Sequence, residues 1–173
     1  QNQPQITPGM IWVSPKVVAA PIGSAVVLKA GLVGSKKQLL ADRKLEWTVA
    51  EGSQGIIESA GGGNPNTFRW LFPKYGNRAS ETYAHTITSQ RAEVVHQDTV
   101  DYIDDIDVAQ GEAWAVVSSD RKGTTEVLVG ASTETNWDRR FQKILVHWID
   151  AQWQFPNSVT DDAGSDQVLT TIV

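Results

Sequence analysis

The chain has 173 residues, 40% of them hydrophobic and 20% charged, and a formal net charge of −5. That length fits one large domain or one domain plus part of a second, and that apolar content excludes a disordered chain. The acidic balance attracts neither nucleic acid nor an anionic membrane, no apolar run approaches the ~20 residues that span a bilayer, and the lack of cysteine excludes disulfides, thiolate nucleophiles and zinc–thiolate sites.

Taken in chain order, the periodicity predicts strands almost everywhere. The first is Ser24–Val33 (SAVVLKAGLV). Gln38–Lys44 (QLLADRK) has the composition of one helical turn but neither the length nor the caps of a stable helix. Lys44–Val49 (KLEWTV) alternates, with Leu45, Trp47 and Val49 on one face. Residues 59–81 begin Ser-Ala-Gly-Gly-Gly-Asn-Pro-Asn and carry Phe68, Trp70, Leu71, Phe72 and Tyr75, so they read as a long loop inserted between strands and pinned by its aromatics. Thr82–Ser89 again alternates, Tyr83, His85 and Ile87 against Ala84, Thr86 and Thr88. Gly111–Ser119 (GEAWAVVSS) and Thr124–Ala131 (TTEVLVGA) flank Ser118–Gly123, which reads as a hairpin loop. Lys143–Ile149 (KILVHWI) closes the series. Each run is rich in the β-branched and aromatic residues that suit a pleated surface, and many short strands separated by turns predict an all-β, antiparallel β-sandwich with one long inserted loop. Its core should hold Leu28, Leu45, Trp47, Trp114, Val116, Val127, Val129, Val146 and Trp148 between two sheets.

Motifs for chemistry are sparse. His85, His96 and His147 lack metal-ligand spacing, and there is no G-x-S-x-G, no phosphate-binding loop and no dinucleotide fingerprint. Nothing singles out a Lys–Asn cross-link partner for Lys29 or Lys44. The one constellation with a ligand chemistry is Asp98-x-x-Asp101-x-x-Asp104-Asp105-x-Asp107. Clustered carboxylates repel one another, and Ca²⁺, with its six to eight oxygen ligands, would relieve that at Asp101, Asp104, Asp105 and Asp107. A solvated acidic loop is the competing account. Of the seven tryptophans, those in alternating strands suit a core, whereas Trp70 and Trp137, with Tyr75, stand in loop-like contexts where they can meet a glycan or protein partner.

The two ends of the chain resemble each other. Trp12–Leu32 laid over Trp153–Val173, an offset of 141 residues, gives seven identities in 21 positions without a gap: Trp12/Trp153, Pro15/Pro156, Val18/Val159, Gly23/Gly164, Ser24/Ser165, Val27/Val168 and Leu28/Leu169. Average composition gives roughly one or two. The division that follows is an N-terminal segment (1–11), a repeat unit (12–155) with its insertion near 59–81, and the first strand of a following repeat, or an exchanged strand, at 156–173. In that last segment Val168, Leu169 and Ile172 distribute apolar groups over both faces, so the strand should pair with a sheet edge, that of a neighbouring copy being the expectation. The Gln1-Asn2-Gln3-Pro4 start, without an initiator Met, suggests a processed end or a piece of a longer protein.

The order of Val27–Ala30, Leu45-Glu46-Trp47-Thr48-Val49, Gly111-Glu112-Ala113-Trp114-Ala115-Val116 and Gly123–Ala131 resembles the bacterial immunoglobulin-like repeats of invasin- and intimin-type adhesins over about half of the chain. The unit is longer than those repeats, through the 59–81 insertion and residues 133–155, and richer in Trp. The resemblance implies an immunoglobulin-like sandwich without catalytic residues, at a bacterial cell surface or in the extracellular medium. It also implies a spacing, adhesive or self-associating role whose partners are neighbouring copies or repeats of the same protein. The alternative is a carbohydrate- or protein-binding module using the 59–81 insertion.

Overall fold

The computed structural model describes residues 9–62, 80–95, 105–131 and 140–150, which form twelve strands and no helix. Sheet A holds β1 (Ile11–Ser14), β3 (Ala25–Val33), β10 (Ala113–Ser118) and β6 (Ile56–Gly62) in that order, with β4 (Leu39–Leu40) paired to the end of β3. Sheet B holds β2 (Val17–Pro21), β12 (Phe141–Ile149), β11 (Gly123–Gly130), β5 (Lys44–Val49) and β7 (Tyr83–Ile87). A separate ribbon pairs β8 (Glu93–Val95) with β9 (Ile106–Val108). All pairings are antiparallel except that of β2 with β12.

The result is an immunoglobulin-like β-sandwich. Its first strand is split: β1 belongs to sheet A, and after the cis Ser14–Pro15 peptide the chain continues as β2 in sheet B. From β5 the chain crosses to β6 in sheet A, and β7 then returns to sheet B beside β5. The backbone bond from Ile57 N to Glu81 O ties β6 to the start of β7 and closes that side of the sandwich, while Val49 N to Thr82 O extends the pairing of β5 with β7. The opposite side is bounded by the two halves of the first strand, β1 and β2.

The strand alternation read from sequence fills the core. Leu28, Ala30 and Leu32 from β3 and Ala113, Ala115 and Val117 from β10 meet Leu45 and Trp47 from β5, Val127 and Val129 from β11, and Ile144, Val146 and Trp148 from β12. Each fully buried indole removes ~200 Å² from water, gross ~5 kcal/mol at ~25 cal/mol/Å². Trp47 and Trp148 therefore outweigh any single aliphatic contact, provided that their N–H groups are satisfied. They are: Trp47 Nε1 donates to Thr86 Oγ1 at 2.8 Å, and Trp148 Nε1 donates to Thr125 Oγ1 at 2.7 Å. The Thr86 acceptor fits the way β7 turns its Ala84–Thr86 face inward and its Tyr83–His85–Ile87 face outward.

Three expectations need correction, and the ambiguous Gln38–Lys44 segment is settled. Trp114 and Val116 are buried, but not between the two sheets: they lie on the outer face of sheet A, in a second cluster with Val95, Ile106 and Val108 of the β8–β9 ribbon. Ser118–Gly123 is not a hairpin loop, because β10 pairs with β3 and β6 whereas β11 pairs with β12 and β5, so the segment crosses from one sheet to the other. Gln38–Lys44 contains β4 and a left-handed Asp42 (φ 56°) rather than a helical turn. Ser59–Gly62 belongs to β6, so any insertion begins after Gly62.

Candidate functional site

The outer face of sheet A is built like a second interior. One row crosses it through Ser14, Lys29, Trp114 and Gly61, which are successive cross-strand neighbours on β1, β3, β10 and β6. The Trp114 ring lies against Gly61, where an added Cβ would come within 2.6 Å of Trp114 Cζ2. Only glycine leaves room for it. Trp114 is 8% exposed, and its Nε1 has no hydrogen-bond partner among the described residues. Leaving that donor unmet costs ~1–3 kcal/mol, less than the ~3–5 kcal/mol that a packed Trp contributes.

The ribbon is held to this face by charge as well as by packing. Lys29 Nζ donates to the Asp107 carbonyl of β9 and lies 3.8 Å from Glu112 Oε2. Glu112 Oε2 in turn accepts the Ala109 N–H at 2.9 Å, bracing the β9–β10 turn. Lys29 is thus the hub where sheet, ribbon and turn meet, with its stem lying along the apolar face. Lys44 lies on the other sheet, where it forms an exposed ion pair with Glu46 at 3.4 Å.

A second constellation is formed by the terminal strands. β2 runs parallel to β12 with Val17, Val18, Ala19, Ala20 and Pro21 facing Leu145, Val146, His147, Trp148 and Ile149 in register. Leu145 N donates to Lys16 O and Ile22 N to Ile149 O, both at 3.0 Å, so the pairing is bonded at both limits. Because the two strands are parallel, the chain enters at one end of the sandwich, where β1 begins (the leading end), and leaves at the opposite end, where β12 stops (the trailing end). At the trailing end an open notch of about 480 Å³ lies between Gln54–Ile56 and Ser118–Arg121. Gly23 N donates to Ser119 O beside it at 2.8 Å, which places the chain's exit at the rim.

The acidic cluster is only partly within the described residues. Asp107 sits on the exposed face of β9 with its carbonyl taken by Lys29, and Asp105 is half-buried just before it. Asp101 and Asp104 lie outside the described residues, as do Trp70, Tyr75 and Trp137 and the strand residues Val168, Leu169 and Ile172. Among the described residues no three His, Asp or Glu side chains group as a metal site, and no helix is long and apolar enough to cross a membrane. The sequence reading missed the Trp114–Gly61 stack and the Lys29–Glu112 brace. The alternation of β10 carried a signal for them, since Ala113–Val117 is apolar on both faces, the pattern of a strand covered on both sides.

No protein-family model matches the chain, and no curated protein sequence does. Solved structures similar to it include domains 4 and 5 of the S-layer protein SbsC, at 11% identity and a TM-score of 0.43 over 81% of this chain and 51% of that one. The D00-D0 domain of intimin is similar at 11% identity and a TM-score of 0.43, over 81% of this chain and 46% of that one. A β-glycosidase from Bacteroides vulgatus is similar at 11% identity and a TM-score of 0.46, over 82% of this chain and 14% of that one. The chain thus spans about half the length of the first two and a small part of the third.

Proposed function

We propose that the protein is a non-catalytic, tension-bearing spacer, an immunoglobulin-like repeat of a bacterial surface or fibre protein. One observation carries this reading: the terminal strands are paired in parallel while the chain enters and leaves at opposite ends. Tension applied through the chain then runs along β2 and β12 in opposite senses. Every bond of that five-residue register is loaded together in shear, rather than one after another as in peeling. Such a geometry suits a unit that transmits force from one neighbour to the next. The bacterial immunoglobulin-like motifs add support, since they fall on β3, β5, β10 and β11, the strands that build the core.

The test exploits the absence of cysteine, which makes introduced thiols unique handles. Pulling a Gly9→Cys/Asp150→Cys chain loads β2 against β12 in shear. Pulling a Lys16→Cys/Lys143→Cys chain peels the same pair from one end. Shear rupture at a force several times the peeling force is expected in single-molecule stretching; equal forces would refute the proposal.

A further inference from the structure

The seven identities between the two ends of the sequence fall on positions that the fold uses for turns and for the core. Trp12 is in β1, and Pro15 lies at the switch between sheets. Gly23 is left-handed (φ 77°), a conformation that favours glycine. Ser24 Oγ donates to Pro21 O at 2.6 Å to close the same turn, and Leu28 is fully buried. Residues that repeat because of such roles mark the start of the same fold.

The 141-residue offset then sets a distance. Ile11, the first residue of β1, corresponds to position 152, whereas β12 ends at Ile149. If the next unit repeats this register, Asp150 and Ala151 alone separate the last strand of one unit from the counterpart of Ile11 in the next. Three peptide steps span at most ~11 Å, about the thickness of a sandwich and far less than its length. Two units so joined have no room to avoid each other.

We infer that consecutive units dock end to end, the trailing-end notch of one receiving the β3–β4 turn of the next. The inference rests on the repeat reading proposed above. The occupant is a second copy of this fold, and both surfaces are described. The notch at Gln54–Ile56 and Ser118–Arg121 lies beside the chain's exit. The β3–β4 turn follows Val33, which bonds to Gly9 and Met10 just before β1, so it projects beside the point where the next unit begins. It is a tight turn, closed by Gly34 N to Gln38 O at 2.7 Å and Lys37 N to Gly34 O at 3.0 Å. Charge favours the match. The turn presents exposed Lys36 and Lys37 and no acid, whereas the trailing end presents exposed Glu51, Asp120 and Asp150 against Arg121 and Lys122. Arg121 pairs with its neighbour Asp120 at 3.8 Å.

A two-unit chain tests this: residues 1–151 followed directly by residues 11–173, compared with the natural chain and with the same two-unit chain carrying ten Gly/Ser residues after Asp150. Docking predicts one thermal transition, ~3 °C or more above that of the natural chain, and its return to the natural midpoint when the flexible insert is present. Lys36→Glu/Lys37→Glu in the second unit should lower the two-unit midpoint by a similar amount while leaving the natural chain within ~1 °C. If both units fold, doubling the far-ultraviolet signal, yet melt at the natural midpoint with and without the insert, docking is wrong and the repeat reading stands. If the second unit does not fold, the repeat boundary fails, and the proposal that rests on it fails too.

Discussion

Thr125 is the smallest side chain on which a large part of the core depends. It is fully buried on β11, accepts the Trp148 indole N–H at 2.7 Å, and donates its own proton to the Gln54 carbonyl. Thr125→Val keeps the shape, raises strand propensity and adds apolar surface, so hydropathy alone predicts a neutral or stabilising change. The hydrogen bonds predict the reverse. Valine leaves the Trp148 donor buried without an acceptor and the Gln54 carbonyl without a donor, at ~1–3 kcal/mol for each buried group. Water in the adjoining notch can reach Gln54, so the sum belongs at the lower end, ~2–3 kcal/mol. Thr125→Ser keeps both bonds and loses one methyl group, ~1 kcal/mol. Urea unfolding followed by tryptophan fluorescence reads both: the Val variant should lose midpoint at unchanged slope and be the less stable of the two. A Val variant as stable as the Ser variant, or as the unaltered chain, would refute the assignment of Thr125 as a working acceptor.

Gly61→Val should cost ~1–3 kcal/mol by forcing the Trp114 ring off its seat, seen as a red shift in fluorescence and a lower urea midpoint. Trp114→Ala, which empties the second core, should cost ~3–5 kcal/mol and speed amide exchange at Val95 and Ile106 far more than at Val127. Lys29→Met keeps the apolar stem but drops the tie to Asp107, so the ribbon's amides should exchange faster while the midpoint falls by only ~1 kcal/mol. A Glu112→Gln chain, which retains an acceptor for the Ala109 N–H, should be milder than Glu112→Ala by ~1 kcal/mol in the same unfolding assay.

The main core was legible because its strands alternate in the ordinary way. Leu45, Trp47 and Val49 share a face in sequence and share the interior in the structure. What alternation could not supply is which strands pair. Ser118–Gly123 has the composition of a hairpin loop, yet a polar six-residue link serves equally well to cross between sheets; the choice is made by the partners β3, β6, β5 and β12, all distant in sequence. The ribbon was illegible for a related reason. Val94–Val95 and Ile106–Val108 are too short to register as strands, and Asp107 draws the eye to the acidic run instead. Its neighbours Ile106 and Val108 are 3% and 2% exposed, and with Val95 they cover Trp114 and Val116 on a face that a plain sandwich leaves wet. Gly61 read as part of a long inserted loop because nothing local distinguishes a glycine that bends a chain from one that makes room for an indole on the neighbouring strand.

The two faces of the sandwich are accordingly unequal, and the inequality bears on assembly. Sheet A is sealed on its outer side by the ribbon over Trp114. Among the described residues nothing covers sheet B, and its outer face mixes an ion-pair ladder, Lys143 to Glu126 at 3.2 Å and Lys44 to Glu46 at 3.4 Å, with exposed Val17, Ile87, Phe141 and Ile149. The exposed apolar residues are dispersed, three on β2 and β12 at one side of the sheet and Ile87 on β7 at the other, and charged residues lie between the two sides, an arrangement that discourages face-to-face stacking. The free edges are equally guarded. β1 has four residues and β2 five, Pro15 interrupts the line between them and Pro21 ends it, so a passing strand meets only short, broken templates. Among the described residues the faces and edges thus offer little for lateral growth, which favours the ends. A unit of this kind extends along its own strands, the direction in which β2 and β12 are loaded in shear.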